Sequence, residues 1–203
     1  MSIKQYEGGN YQHILDMAWD ALLSRDLKDV ARNSNSQLED DCIVFSSLGN
    51  ERIVDVSSRV ISTSYGKTSV VESILTLHYL DGAVPIIPTG ELIPFYQLPG
   101  GYAYFKAFKR RIIDKIASKF QHRPKMLEIV GERLDGVRLS FGDASIRLLP
   151  FPKIPVTIII WSGDDEILGS ANVLFDSTAS MYLPVEDLAE VGSILLRKLS
   201  ALI

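Results

Sequence analysis

Cysteine is almost missing from this chain: Cys42 stands alone among 203 residues. A single thiol excludes an internal disulfide and a thiolate cage for zinc or an iron–sulfur cluster built from this chain alone. Long apolar runs are absent too, and no segment approaches the ~18 uninterrupted apolar residues of a membrane-spanning helix. The opening "MSIKQYEGGNYQHILDMAWDALL" lacks a basic stretch leading into an apolar core and a small-residue cleavage site. No secretory signal is therefore expected. There is no "GxSxG" nucleophile elbow and no "GxGxxG" loop, which argues against the common enzyme classes. A basic excess is also lacking, with 21 Lys and Arg against 25 Asp and Glu. A pI near 5.4 disfavours nucleic acid as a partner. A cytoplasmic protein outside the membrane is the expectation.

What is present is a large apolar share, 46% of residues, with 23% charged. That suffices for one substantial core, and one domain is expected at this length. The charge is unevenly spread. Between Tyr102 and Arg138 ten Lys or Arg face four acids, a local +6 that leaves -10 for the rest of a chain whose total is -4. Such asymmetry marks either an anion-binding face or two oppositely charged segments packed side by side.

Periodicity outlines the elements. Residues 11–24 form a helix capped by Asn10, with Tyr11, Ile14, Leu15, Ala18 and Leu22 on its inner side. "DLKDVARNSNS" is a short helix running into a polar loop. "DCIVFSSLGNERIVDVSS" gives two strands around a Gly49-Asn50 turn, with extended chain continuing through Val60 and Ile61. A second long helix fits "SVVESILTLHYLDG", with Val70, Val71, Ile74, Leu75 and Leu77 inward and Gly82 past its end. Four prolines keep "AVPIIPTGELIPFYQLPGG" extended. A helix then runs to about Phe120, and another opens at Pro124. From Val137 onward two hairpins are expected, turning at Gly142-Asp143 and at residues 162–165, with the β-branched run 156–160 as a central strand. Pro184 opens a closing helix that carries Arg197 and Lys198 in its last turn. Strands and helices come in blocks, so the fold class expected is α+β: a single domain with an antiparallel sheet, its hairpins mainly C-terminal, packed against about five helices.

Few residues suggest chemistry. "SYGKTS", residues 64–69, resembles the end of a phosphate-binding loop, but the pattern needs a glycine where Ile61 stands. A nucleotide hydrolase is rejected on that ground. Asp164, Asp165, Glu166 and Asp176 are close in sequence, yet neighbouring strand residues point to opposite faces, so a solvated turn explains them better than a metal site. His13 and His122 fall on polar surfaces. His78 falls on an apolar stripe, either as a core histidine donating to a backbone carbonyl or as a pocket-lining group. Lys109 falls on the stripe of Phe105, Phe108, Ile112, Ile116 and Phe120. Either it snorkels to water or it faces a cleft as an anion ligand. Cys42 in its apolar strand is expected to be inert.

Four blocks carry a family likeness: "LTLHYLDGA", "GELIPFYQLPGGYAYFKAF", "DASIRLLPFPKIPVTIIIWSGDDEI" and "ANVLFDSTASMYLPVEDL". Together they resemble a domain-of-unknown-function family found mainly in anaerobic bacteria and archaea. The likeness spans residues 42–203 and leaves residues 1–41 as a helical N-terminal extension. It implies a single α+β domain of prokaryotic, anaerobic origin. Some relatives join the domain to an iron–sulfur module as in corrinoid proteins, a module this one-cysteine chain lacks. The resemblance carries over no catalytic residue and names no cofactor.

The leading expectation is a non-enzymatic accessory or binding module that takes a small anionic ligand or a protein partner through a basic helix face. Gly100 and Gly101 would present backbone N–H groups, assisted by Lys106, Lys109 and Arg110. The alternative is an enzyme or carrier subunit in anaerobic corrinoid or one-carbon metabolism. His78 and Lys109 would then line its pocket, with Asp164 or Asp176 as supporting acids.

Overall fold

A computed structural model describes residues 11–64, 66–164 and 166–203; the expected cap Asn10 lies outside them. Helix α1, Tyr11–Leu23, buries Ile14, Ala18, Trp19 and Leu22. Trp19 thus takes an inward place, while Tyr11, expected inward, is exposed. Helix α2, Leu27–Ser34, begins where the Asp26 carboxylate accepts the N–H groups of Lys28 and Asp29. It stops at Asn35, which is left-handed at φ 56°.

Five strands then form an antiparallel meander in chain order: β1 Gln37–Glu39, β2 Cys42–Ser47, β3 Asn50–Asp55, β4 Val60–Thr63 and β5 Gly66–Lys67. Register pairs Ile43 with Val54 and Phe45 with Arg52. The period-two alternation buries all four on one face of the sheet. Helix α3, Val70–Asp81, is capped by Ser69, whose hydroxyl accepts the Glu72 N–H. Ile74, Leu75, Leu77, Tyr79 and Leu80 are fully buried, whereas Val70 is exposed. Gly82 ends α3 where a Cβ would lie 2.1 Å from the Tyr182 carbonyl oxygen.

The second sheet has order β6-β10-β9-β8-β7, again antiparallel throughout, from β6 Leu92–Pro94, β7 Val137–Arg138, β8 Ala144–Phe151, β9 Ile154–Trp161 and β10 Ser170–Asp176. β9 is central, and its Val156, Ile158, Ile159 and Ile160 are buried as the β-branched run predicts. Helix α6, Pro124–Glu132, lies along β8, and α7, Val185–Ser200, closes the domain. Between the strands runs one helical rod: α4 Gly101–Phe108, a π turn Lys109–Ile113 and α5 Asp114–Phe120. The π turn holds one residue more than an α turn, so α5 is rotated relative to α4. Phe108, Ile112, Ile113, Ile116 and Phe120 are buried, while Lys109 stays outside. Among the described residues no helix is long and apolar enough to cross a membrane.

The two sheets meet at the β2–β3 tip. Leu48 N–H donates to the Leu149 carbonyl at 3.0 Å, and the Ser47 hydroxyl donates to the Pro150 carbonyl at 2.8 Å. Tyr79 fills the join, its ring stacked on Phe151 at 4.6 Å and its hydroxyl donating to the Ser34 carbonyl. The result is a single α+β domain around one core.

Candidate functional site

The residues expected from sequence fall in two places. Gly100 is left-handed at φ 77° and caps α4, while Gly101 is buried with its N–H donating to the Leu98 carbonyl at 2.7 Å. A Cβ on Gly101 would sit 1.9 Å from the Phe95 carbonyl oxygen, so glycine here serves a close backbone approach. Lys106, Lys109 and Arg110 are all exposed. Lys109, 53% exposed, is paired with Asp114. His78 sits on α3 with Nδ1 2.6 Å from Oδ2 of the wholly buried Asp187 of α7. Its partner is thus a carboxylate rather than a backbone carbonyl. His78 and Lys109 are held by different acids on different helices.

The acids behave as structural acceptors. Asp164 accepts the N–H groups of Glu166 and Ile167 inside its hairpin turn. Asp176 is wholly buried and gathers donors from Thr89, Gly90 and Thr178. Burial alone would raise its carboxyl, but these bonds outweigh burial and hold it below the ordinary range. Burial and the nearby Asp55 push the Cys42 thiol up, away from the reactive thiolate. Among the described residues, no three His, Cys, Asp or Glu converge as a metal-binding group.

The geometry brings a different set of cations together. A cleft of about 160 Å³ opens between β3, the β4–β5 hairpin, α3 and the last turn of α7. Arg52, Lys67 and Lys198 line it, with Ser47, Asn50, Thr63, Thr68 and one carboxylate, Glu72. Arg52 is only 7% exposed. Its Nη1 donates to the Thr76 hydroxyl at 2.6 Å, and that hydroxyl donates to the Glu72 carbonyl. Its Nε is buried without an acceptor. The Phe151 ring lies 5.9 Å from the guanidinium carbon. Burial lowers the guanidinium from its ordinary pKa, with Glu72 acting in the opposite direction. The Glu72 carboxylate is itself held by Arg197 at 2.8 Å.

Sequence reasoning misses Arg52, although a signal is present. Arg52 and Val54 alternate in "NERIVD", so whichever face buries Val54 also receives Arg52. Periodicity assigns Lys198 only to the helix terminus. Lys67 and Thr68 belong to the "GKT" fragment of the incomplete phosphate-loop pattern. A larger cleft of about 450 Å³ lies near the β2–β3 tip, lined by Asn35, Gln37, Ser46, Glu51, Asp135 and Leu149 among others. Neither cleft is lined by the expected residues Gly100, Gly101, Lys106, Lys109, Arg110 or His78.

Fold and clefts together define a single α+β domain with a cleft lined by three cations. A family model described as Domain of unknown function (DUF3786) matches residues 26–198, and the chain belongs to that family. The match begins ahead of residue 42 and takes in α2 and β1. The chain matches no curated protein and no solved structure.

Proposed function

We propose that this domain is a binding module for a small anionic ligand, and that the ligand is held in the Arg52 cleft. One observation carries the reading: a guanidinium nine-tenths buried, with Nε lacking an acceptor, lies beside two further lysines. A buried cation is costly unless it is paired and hydrogen-bonded. Here the Thr76 hydroxyl and the face of Phe151 give partial compensation, and the nearest carboxylate is shared with Arg197. An anion entering the cleft would complete the pairing. The test is thermal unfolding in anion-free buffer and with added sulfate. Sulfate is expected to raise the wild-type Tm in a saturable way. R52M is expected to fold, to lose the sulfate response and to be no less stable than wild type without sulfate. A sulfate response equal in both proteins would remove Arg52 from the site.

A second reading concerns the α4 face. Tyr102, Lys106 and Arg110 recur at intervals of four on the exposed side, and Tyr102 is 84% exposed. An aromatic and basic stripe of this kind suits an acidic protein partner. Titration with a poly-glutamate peptide tests it. Binding that survives K106E/R110E would contradict it.

A further inference from the structure

If the Arg52 cleft holds an anion, its walls also select among anions, and the ligand class inferred from them rests on that anion-binding reading. The three cations approach the cleft from separate elements: Arg52 from β3, Lys67 from β5 and Lys198 from α7. A planar carboxylate presents two oxygens along one edge, which a single arginine fork satisfies. A tetrahedral oxyanion presents three oxygens in three directions and matches cations that converge from three sides. Charge points the same way. Among the described residues Glu72 is the only acid in the wall, and Arg197 neutralises it from outside. The cations lining the cleft therefore exceed what a monoanion balances.

The surrounding backbone adds to this potential. α3 opens at the cleft, with Thr68 just ahead of its cap Ser69 and Glu72 in its first turn. A helix of 12 residues brings the positive end of its dipole to that point. Size limits the rest of the ligand. About 160 Å³ is well below the roughly 300–1,000 Å³ of sites for drug-sized molecules. One oxyanion head with a short substituent matches that volume. The polar lining agrees, because the Ser47, Asn50 and Thr68 side chains already donate to the carbonyls of Pro150, Leu48 and Ile61. Those groups hold the wall in shape and leave recognition to the cations.

We propose that the cleft binds a phosphoryl dianion, as free phosphate or as the phosphate group of a small monoester. The "GKT" fragment then contributes Lys67 from the rim, without the nest of backbone amides that a nucleotide-binding loop uses. The test is calorimetric titration of the full chain at constant ionic strength with inorganic phosphate, glycerol phosphate, acetate and ATP. The expected result is phosphate or glycerol phosphate binding at least tenfold tighter than acetate, and ATP binding no tighter than glycerol phosphate. The tighter of the first two identifies the source of the phosphoryl group. K67M and K198M should each weaken phosphate several-fold and leave acetate almost unchanged, because acetate rests on Arg52. Acetate equal to phosphate would overturn the phosphoryl assignment while the anion-binding reading stands. ATP binding more tightly than glycerol phosphate would overturn the size limit and the assignment with it. Failure of every anion to bind would overturn the underlying reading as well.

Discussion

Nδ1 of His78 lies 2.6 Å from Oδ2 of Asp187, and the carboxylate is wholly buried. The contact ties α3 to the first turn of α7 across 109 residues of sequence. Removing the buried carboxylate takes away the hydrogen-bond partner of a part-exposed imidazole, at about 1–3 kcal/mol. D187A is therefore expected to lower the urea midpoint by a corresponding amount with an unchanged m-value. An unaltered midpoint would show that the pair contributes nothing to the fold.

Asp176 gives the domain an acid-sensitive clamp. Its carboxylate accepts the Gly90 N–H at 2.7 Å and the Thr178 N–H at 3.0 Å, fastening the chain before β6 to the end of β10. Burial opposes ionisation, and the donors overcome it, so the folded pKa lies below the unfolded value of about 3.9. The stabilisation is complete above the unfolded pKa and is lost as pH falls through the folded one. D176N should lower stability at neutral pH and flatten the acid limb. Urea titrations from neutral pH downward provide the check, and parallel acid limbs for both proteins would contradict it.

Two glycines separate steric need from conformational need. At Gly101 an added Cβ meets the Phe95 carbonyl oxygen at 1.9 Å, whereas Gly90 at φ 80° has open space. G101A should cost about 3 kcal/mol through backbone displacement. G90A should cost about 1 kcal/mol from the left-handed conformation alone. Denaturant midpoints in the reverse order would refute the steric role of Gly101.

Lys109 is exposed on the π turn beside Asp114. K109A should change stability by less than about 1 kcal/mol, as exposed pairs do. It should also leave the sulfate-induced rise in Tm intact. Loss of that rise would move the site to the α4–α5 face.

Much of this fold is legible in the sequence because its long elements have strong periods. Val156 to Ile160 mark the central strand, and Pro124 and Pro184 mark two helix starts. The short strands β1, β5 and β6, of two or three residues, are too brief to show a period. The π turn has no residue signature; its extra residue moves Lys109 off the stripe that a uniform helix predicts. Trp19 displaces Tyr11 because burial in α1 is decided by contact with α3, a tertiary choice. The candidate site is the least legible part. Arg52, Lys67 and Lys198 lie on three separate elements and meet only through the sheet register and the docking of α7.

Anion binding in the Arg52 cleft is read residue by residue from chemical-shift mapping. Titrating phosphate into the uniformly labelled chain should shift the amides of Thr63, Lys67, Thr68 and Lys198 along one saturable curve. The amides of Lys106, Lys109 and Arg110 should stay in place. Saturable shifts confined to Gly101–Arg110, with the cleft amides unmoved, would put the anion on the α4 face and not in the Arg52 cleft.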